Sequence, residues 1–543
     1  MKSLHFLLLC LATILPVLNA RAEEARAVPT FQCAGLYWKP AEAAPDNPCA
    51  VGYRVKGEEN WKTALPLWFD PNDHPGVPEH SKEYRGSVVN LQPDTEYEFR
   101  LTLEKSKTEV IVPMRTWSEN FKVAKTITIP HDAPQPFVIT EGGSKEAGYV
   151  VYTMESGAVL DAKSAPEATS NVTVNASYVI LRGLNLKNAN THGIVLGDVQ
   201  DIVIDKCDVS GWGRIKEDGF GANLDSAVYS KAQTLSRVII QDCQLHHPRS
   251  NSNSWTEERM HDGKATKHPL GPQGITFIKS DGHFVIRRNK IFSDPAHKFN
   301  DSMGEVQNMS FHGFPYRDTD IHDNDVSNTY DDGIEVEGAN INVRVWNNRC
   351  DDVYGAIGCA ITSLGPIYIY RNVLNGARKG PKDDADSNKG AYLVKLGTEK
   401  EEVTKGKIFV FHNTMLQPPP RTGMTETSGG NAGIVFTADS KRQSNITSRN
   451  NILYVREPKR RCVNDPTKNP TNDFDYDLFN GVINAIEGAE SHGIAATPSF
   501  ETTVPGIYPL KAGTPGVDAG VRIPNFNDDF KGKGPDMGAF ETP

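Results

Sequence analysis

Apolar and polar residues alternate in short runs along most of this chain. From about residue 175 the runs recur as apolar-x-apolar, then polar positions, often closing on Asn. The copies are Val179–Leu184, Ile202–Cys207, Val238–Cys243, Phe284–Asn289, Thr319–Asn324, Val343–Asn348, Ile367–Asn372 and Ile408–Asn413, with a worn copy ending at Asn451. A second motif, Gly-apolar-x-apolar, precedes many of them: Gly193-Ile-Val-Leu, Gly274-Ile-Thr-Phe, Gly333-Ile-Glu-Val and Gly433-Ile-Val-Phe. Period-two alternation sends every second side chain to one face of a strand. A fixed repeat of such strands, separated by turn residues, predicts a solenoid.

Helical repeats are excluded, because Asn and β-branched residues would then fill helix interiors. Asn at one fixed turn position predicts a ladder in which each side chain bonds the turn of the next coil. The fold expected is a right-handed parallel β-helix over residues 119–500. Over roughly 125–500 the chain resembles the pectate-lyase-like superfamily. Its ending, Val517-Asp-Ala-Gly520 and Gly534–Glu541, is similar to the tail of many exported β-helix proteins, so residues 501–543 are expected to pack on the solenoid. Cys207 and Cys243 occupy the ladder position in successive coils. Coils stack ~4.8 Å apart, within reach of a disulfide, and that bridge is expected. Cys359 falls at an inward strand position and is expected as a buried thiol.

Residues 30–118 read as short strands broken by Pro, Asp, Asn and Gly. Within them Leu91-Gln-Pro-Asp-Thr-Glu-Tyr97 resembles the tyrosine corner of fibronectin type III domains. A fibronectin type III-like sandwich is therefore expected over 23–118, with Trp38, Tyr53, Val55 and Trp61 in its core. Such modules serve as spacers or weak glycan binders.

Composition then narrows the class. Hydrophobic residues make up 38% and charged residues 23% of the chain, which excludes both a multi-span membrane protein and a disordered chain. A formal charge of -10 argues against a general nucleic-acid binder. Lys2, the apolar run Phe6–Leu18 and Ala20-Arg21-Ala22 read as a cleavable signal peptide, residues 1–22. The mature chain is expected to be secreted or periplasmic, monomeric and without a transmembrane segment. Cys10 leaves with the signal, and Cys33 with Cys49 is a plausible local disulfide.

In the superfamily resembled, the outward face of the Gly-apolar-x-apolar sheet forms a polysaccharide groove. Reading outward positions coil by coil puts Ser310 and His312 out, with Met309 and Phe311 in. In the following coil Glu335 and Glu337 point out. The segment Tyr330-Asp-Asp-Gly-Ile-Glu-Val-Glu337 is the densest acidic cluster in the repeat. Asp331, Glu335 and Glu337 repel one another unless a proton or cation intervenes, and their oxygens suit Ca²⁺. His312 is expected beside Glu337 at ~4.8 Å and Lys395 two coils away at ~10 Å. A cation, carboxylates and a base fit β-elimination on a uronic acid, with His312 or Lys395 taking the proton. Glu335-Val-Glu337 is similar to the calcium pair of polysaccharide lyase family six, whose catalytic Lys has no counterpart in Gly338–Asn342.

Asp331-Asp332-Gly is also similar to the Asp-Asp pair of polygalacturonase-like glycoside hydrolases, which would act as acid and base. Those enzymes carry Asn-Thr-Asp one coil earlier and Gly-His-Gly one coil later. In this chain the earlier coil reads as Ser310–Gly313 and the later as Gly355-Ala-Ile-Gly358.

Two insertions enter this sheet. Residues 246–273 carry His246, His247, Trp255, His268 and several bases, and residues 292–307 carry His297, Lys298 and Asp301. Both suit an acidic glycan. Adjacent His246 and His247 are expected to diverge rather than to share a metal. Trp346, Tyr370 and Phe411 form an outward row on the second sheet, and cover by a loop is expected there. The reading is an exported enzyme cleaving an acidic polysaccharide by β-elimination. His312, Lys395 and Asp332 are its catalytic groups, Asp331, Glu335 and Glu337 its calcium ligands, and Ser310, Lys279, Arg317 and Trp255 its substrate contacts. Glycoside hydrolysis by the paired carboxylates and a non-catalytic glycan-binding or adhesion role are the alternatives.

Overall fold

The computed structural model describes residues 23–306, 308–375, 379–381, 392–397, 401–417, 433–436, 443–502 and 504–542. The expected signal peptide, residues 1–22, lies outside them. Among the described residues no helix is long and apolar enough to cross a membrane.

Residues 23–115 form a sandwich of seven strands. Their spatial order is Glu23–Pro29, Ala34–Lys39, Tyr84–Val88, Lys62–Phe69, Cys49–Val55, Glu96–Leu103 and Glu109–Arg115. Alternation drives it: in Glu96–Leu103 the buried residues are Tyr97, Phe99, Leu101 and Leu103. Trp38 and Tyr53 join that core, and Val55 packs against its margin. Trp61 does not. Its ring is clamped between the guanidiniums of Arg54 and Arg100, at 4.3 and 4.6 Å, where cation–π attraction holds it at the surface. At the predicted tyrosine corner, the Gln92 backbone N–H donates to the Tyr97 hydroxyl at 2.9 Å.

From Val123 onward the chain winds as a right-handed parallel β-helix. Among the described residues the second sheet, built from the Asn-ending motifs, has 12 strands from Val123–Ile129 to Asp473–Phe474, and a third sheet of 12 strands runs from Leu160–Asp161 to Ile494–Ala495. The described strands of the first sheet fall into two halves of six. Inward Ile, Val and Leu from all three stack into one continuous core that includes Cys359.

The predicted ladder is present. Asn289, Asn324, Asn348, Asn372, Asn413 and Asn451 each donate to the side-chain oxygen of the next coil at 2.9–3.0 Å, ending on Asp477. Cys207 and Cys243 extend it at the other end as free thiols, which corrects the expected bridge. Cys243 Sγ accepts from the Cys207 N–H at 3.4 Å and donates to the Ile204 carbonyl at 3.5 Å. Each thiol thus replaces an amide, and a disulfide would remove both donors. Cys33 and Cys49 are likewise free. Cys49 lies inside the sandwich core, whereas Cys33 faces Trp346, Tyr368 and Tyr370 on the solenoid, so the two point into different cores.

The sandwich is seated on the outer face of the second sheet. Fully buried Arg85 pairs with Asp70 at 2.6 Å and donates to the carbonyls of Leu364 and Gly365 at 2.8 and 2.9 Å. The Tyr37 hydroxyl donates to Asp318 at 2.9 Å. The aromatic row Trp346, Tyr370 and Phe411 is covered, as its position predicts, by Phe526 of the C-terminal segment.

Candidate active site

The break in the first sheet is where the acidic residues gather. In the coil before Asp331 the first-sheet strand is Met303–Gly304, in register with Ile275 and Thr276. Residues 305–306 and 308–312 leave the coil, and the chain re-enters it as Gly313–Phe314, which pairs antiparallel with Glu337–Gly338. The expected register through Met309–His312 is therefore corrected. Met303 takes the inward position instead, and Met309 is 39% exposed. Gly304 beside it leaves room for Glu335, since a Cβ there would come within 2.0 Å of Glu335 Oε2. His312 is consequently an exposed loop residue whose ring lies 5.5 Å from Tyr316. It does not stack beside Glu337.

The acid stacked one coil before the Asp-Asp pair comes from Phe299-Asn300-Asp301, not from Ser310–Gly313. The Asp331 N–H donates to the Asn300 carbonyl at 3.0 Å, and the Asp332 N–H to Asp301 Oδ1 at 2.9 Å. Gln273 holds the other Asp301 oxygen at 3.0 Å. Carboxylate oxygens of Asp301, Asp331 and Asp332 lie within 4.8 Å of one another, as do those of Asp332, Glu335 and Glu337. All five side chains are buried.

Lys395 enters from two coils further on: Glu335 aligns with Gly358, and Gly358 with Lys395. Its ammonium reaches back across the two glycines of the intervening coil to Asp331 Oδ1 at 3.2 Å and Asp332 Oδ2 at 2.5 Å. Gly355 and Gly358 make room for this, since a Cβ at either would come within 2.7 and 2.1 Å of the Asp332 oxygens. Neither Asp332 oxygen has a well-aligned hydrogen bond. Asn308, from the extruded loop, donates to Glu335 at 2.7 Å and Glu337 at 2.9 Å. The Ala360 N–H holds Glu337 from the far side at 2.8 Å.

Electrostatics follow from this crowding. Burial, then the charge of Asp331, holds the Asp301 carboxyl well above the usual range. Burial also raises Asp332 well above it; the charges of Asp331, Asp301 and Glu337 add to this and Lys395 only partly offsets it. Glu335 is pushed up well above the carboxylate range by burial and by Asp301, Glu337 and Asp332. Glu337 is raised by burial in spite of Lys395. For Lys395, burial works toward neutrality, but Asp331, Asp332 and Glu337 outweigh it and keep the ammonium charged well beyond the ordinary lysine range.

One side of the cluster is an aromatic wall. The half-buried Trp255 ring lies 4.8 Å from His268 and 5.5 Å from Tyr354, whose hydroxyl donates to Tyr392 at 3.2 Å. His268 Nε2 lies 3.6 Å from Asp331 Oδ2 with its side chain 57% exposed, so the site opens toward solvent past His268.

The other expected substrate contacts are dispersed. Arg317 is committed to Asp281 at 2.6 Å. The Lys279 backbone N–H donates to Glu305 at 3.2 Å. The Ser310 carbonyl accepts from the Ser363 hydroxyl at 2.9 Å. The structure thus brings together Asp331, Asp332, Glu335, Glu337, Lys395 and, at the wall, Trp255. Asp301 and Asn308 are the members that sequence register missed. The Phe299-Asn-Asp301 run preceding the strand was the available signal for Asp301; Asn308 lies in an extruded loop that has no periodicity to read.

No family model and no curated protein matches the chain. Two solved structures are similar in part. The family 28 exopolygalacturonase of Yersinia enterocolitica is 11% identical, with 86% of this chain and 96% of that chain covered and a TM-score of 0.30. The sensor domain of the anti-sigma factor RsgI4 of Pseudobacteroides cellulosolvens is 16% identical over 18% of this chain and 94% of that one, with a TM-score of 0.13.

Proposed function

We propose that this chain is an exported enzyme that hydrolyses an acidic, uronic-acid-containing polysaccharide at Asp301, Asp331, Asp332 and Lys395. The observation that carries this reading is the meeting of three carboxylates from two successive coils within 4.8 Å on an outward sheet face. Glycoside hydrolysis needs one protonated carboxyl to donate to the leaving oxygen and one carboxylate to activate water. Asp332 and Asp301 are held toward the protonated form by burial and mutual repulsion, and so suit proton donation. Asp331 lies between Lys395 and the half-exposed His268, and suits proton acceptance from water. Lys395 serves as a fixed cation. An ammonium held by the Asp331 carboxylate and packed against Asp332 is a poor base, which weighs against β-elimination with Lys395 abstracting the proton. Trp255, Tyr354 and Tyr392 offer faces for sugar stacking.

A second reading is favoured by Asp332, Glu335 and Glu337. Their clustered oxygens fit a hard cation such as Ca²⁺, which would compete with the Lys395 ammonium for Asp332. A calcium ion held there would supply neutralisation of the substrate carboxylate, the condition β-elimination requires.

Incubation with a panel of uronic-acid glycans separates the two. New reducing ends without the ultraviolet absorbance of an unsaturated uronide, insensitive to EDTA, are the expected result. Unsaturated product lost on chelation establishes the lyase. No product from any glycan leaves a binding or adhesion protein as the reading and sinks both.

A further inference from the structure

A second constellation stands on the outward face of the third sheet. His246 ends the strand Gln244–His246, which pairs with Asp208–Ser210 on one side and Lys290–Phe292 on the other. His247 adopts a left-handed backbone, φ 48°. That turn swings its ring back beside His246, so two adjacent histidines that would diverge on a regular strand converge. Their Nδ1 atoms face each other at 2.8 Å. His246 Nε2 lies 3.2 Å from Asp208 Oδ1, and His247 Nε2 lies 3.6 Å from Asp294 Oδ2. Phe292 stacks on His246 at 4.9 Å and meets His247 edge-on at 5.6 Å, which fixes both rings. His297, bonded through Nδ1 to Asp294 at 2.9 Å, stands 6.0 Å from His247, ring to ring.

Asp208 accepts from His246 Nε2, so the neutral His246 imidazole presents Nδ1 as an acceptor. Asp294 stands 3.6 Å from His247 Nε2, beyond hydrogen-bond reach, so His247 carries its proton on Nδ1 and donates it across the 2.8 Å gap to His246. An ion taking the place of that proton would leave His247 protonated at Nε2, on the Asp294 side. Neutral imidazole with its far N–H on a carboxylate is the arrangement by which histidine holds a transition metal. Two nitrogens each ~2.0–2.1 Å from one ion, at neighbouring coordination positions, stand about 3 Å apart. Nitrogen donors select zinc, copper or nickel over calcium. The side chains are 21% and 37% exposed, so an ion can enter from solvent.

We propose that His246 and His247 bind one divalent transition-metal ion through their Nδ1 atoms, with Asp208 and Asp294 orienting the rings and His297 the nearest further donor. The test is calorimetric titration of Zn²⁺ into the chelator-stripped full chain, with Co²⁺ absorption as a spectroscopic readout. One saturable equivalent is expected. His246→Ala with His247→Ala should weaken it at least 100-fold. Asp208→Asn, which keeps both ligands, should weaken it roughly 10- to 100-fold. Glu335→Gln with Glu337→Gln should leave this equivalent in place, which separates it from the acidic cluster. Absence of a saturable equivalent, or full binding by the double histidine variant or by Asp208→Asn, overturns the proposal.

Discussion

Asp332 has the least accommodating surroundings of any side chain in the cluster. It is fully buried, touches the Lys395 ammonium, and has two glycines packed against its oxygens. Asp332→Asn removes the donated proton and is expected to lower turnover by about 10²- to 10⁴-fold, measured as reducing ends released. Gly358→Ala tests the same group without touching it. Its Cβ would fall 2.1 Å from Asp332 Oδ2, so the carboxylate must move. Activity should fall sharply, while stability drops by only ~1–3 kcal/mol in denaturant titration. The raised Asp301 and Asp332 carboxyls also set the pH profile: they lose protons only at raised pH, so the alkaline limb should lie well above the ordinary carboxylate range.

At the scale of the element, the ladder does for the turns what the core does for the strands. Each Asn satisfies a buried backbone N–H of one coil and a carbonyl of another, so substitution leaves orphans on both sides. The ladder ends on Asp477, whose backbone N–H donates to Glu490 at 3.1 Å. Burial, then the Asp477 charge, raises Glu490 to about 10; burial raises Asp477 to about 6, against the hydrogen bonds it accepts. Both folded values exceed the unfolded ones, so the folded state binds more protons. Stability is therefore full below the unfolded values near pH 4 and declines as pH rises toward the folded ones. Glu490→Gln mimics the protonated acid. Its Tm is expected to exceed that of the parent at pH 8 and to match it at pH 4, by thermal scans at both.

At the scale of the whole molecule, the sandwich is a structural flank of the solenoid and not a tethered spacer. Arg85 and Asp70 are both buried at the junction, and Arg85 also satisfies two solenoid carbonyls. Arg85→Met leaves those carbonyls without a donor and buried Asp70 without its cation, with only His74 and Asn72 bonded to it, and should cost about 3–5 kcal/mol in chemical denaturation. The sandwich also braces the site. His74, bonded to Asp70 at 2.8 Å, lies 5.3 Å from Phe311, ring to ring, in the same extruded loop as Asn308. Phe311→Ala should loosen that loop and lower turnover while Tm changes little; unchanged turnover would show that Asn308 is positioned without the sandwich.

The sequence by itself determined the solenoid, its ladder, the covered aromatic row and the acidic strand 331–337. All of these follow from periodicities that each strand or turn carries locally. It also named Lys395, because an outward lysine on a repeat strand can be read from alternation alone. Tertiary structure decided what breaks the period. The strand before the site is Met303–Gly304, where the glycine leaves room for the Glu335 carboxylate, a contact between coils that no local pattern records. That choice moved His312 out of the site and brought Asp301 and Asn308 into it. Likewise the ladder position of Cys207 and Cys243 was legible, but whether sulfur would bond sulfur or backbone was set by the carbonyls and N–H groups stacked around it. The convergence of His246 and His247 rests on one left-handed residue, a conformation that neighbouring coils impose and residue order does not announce.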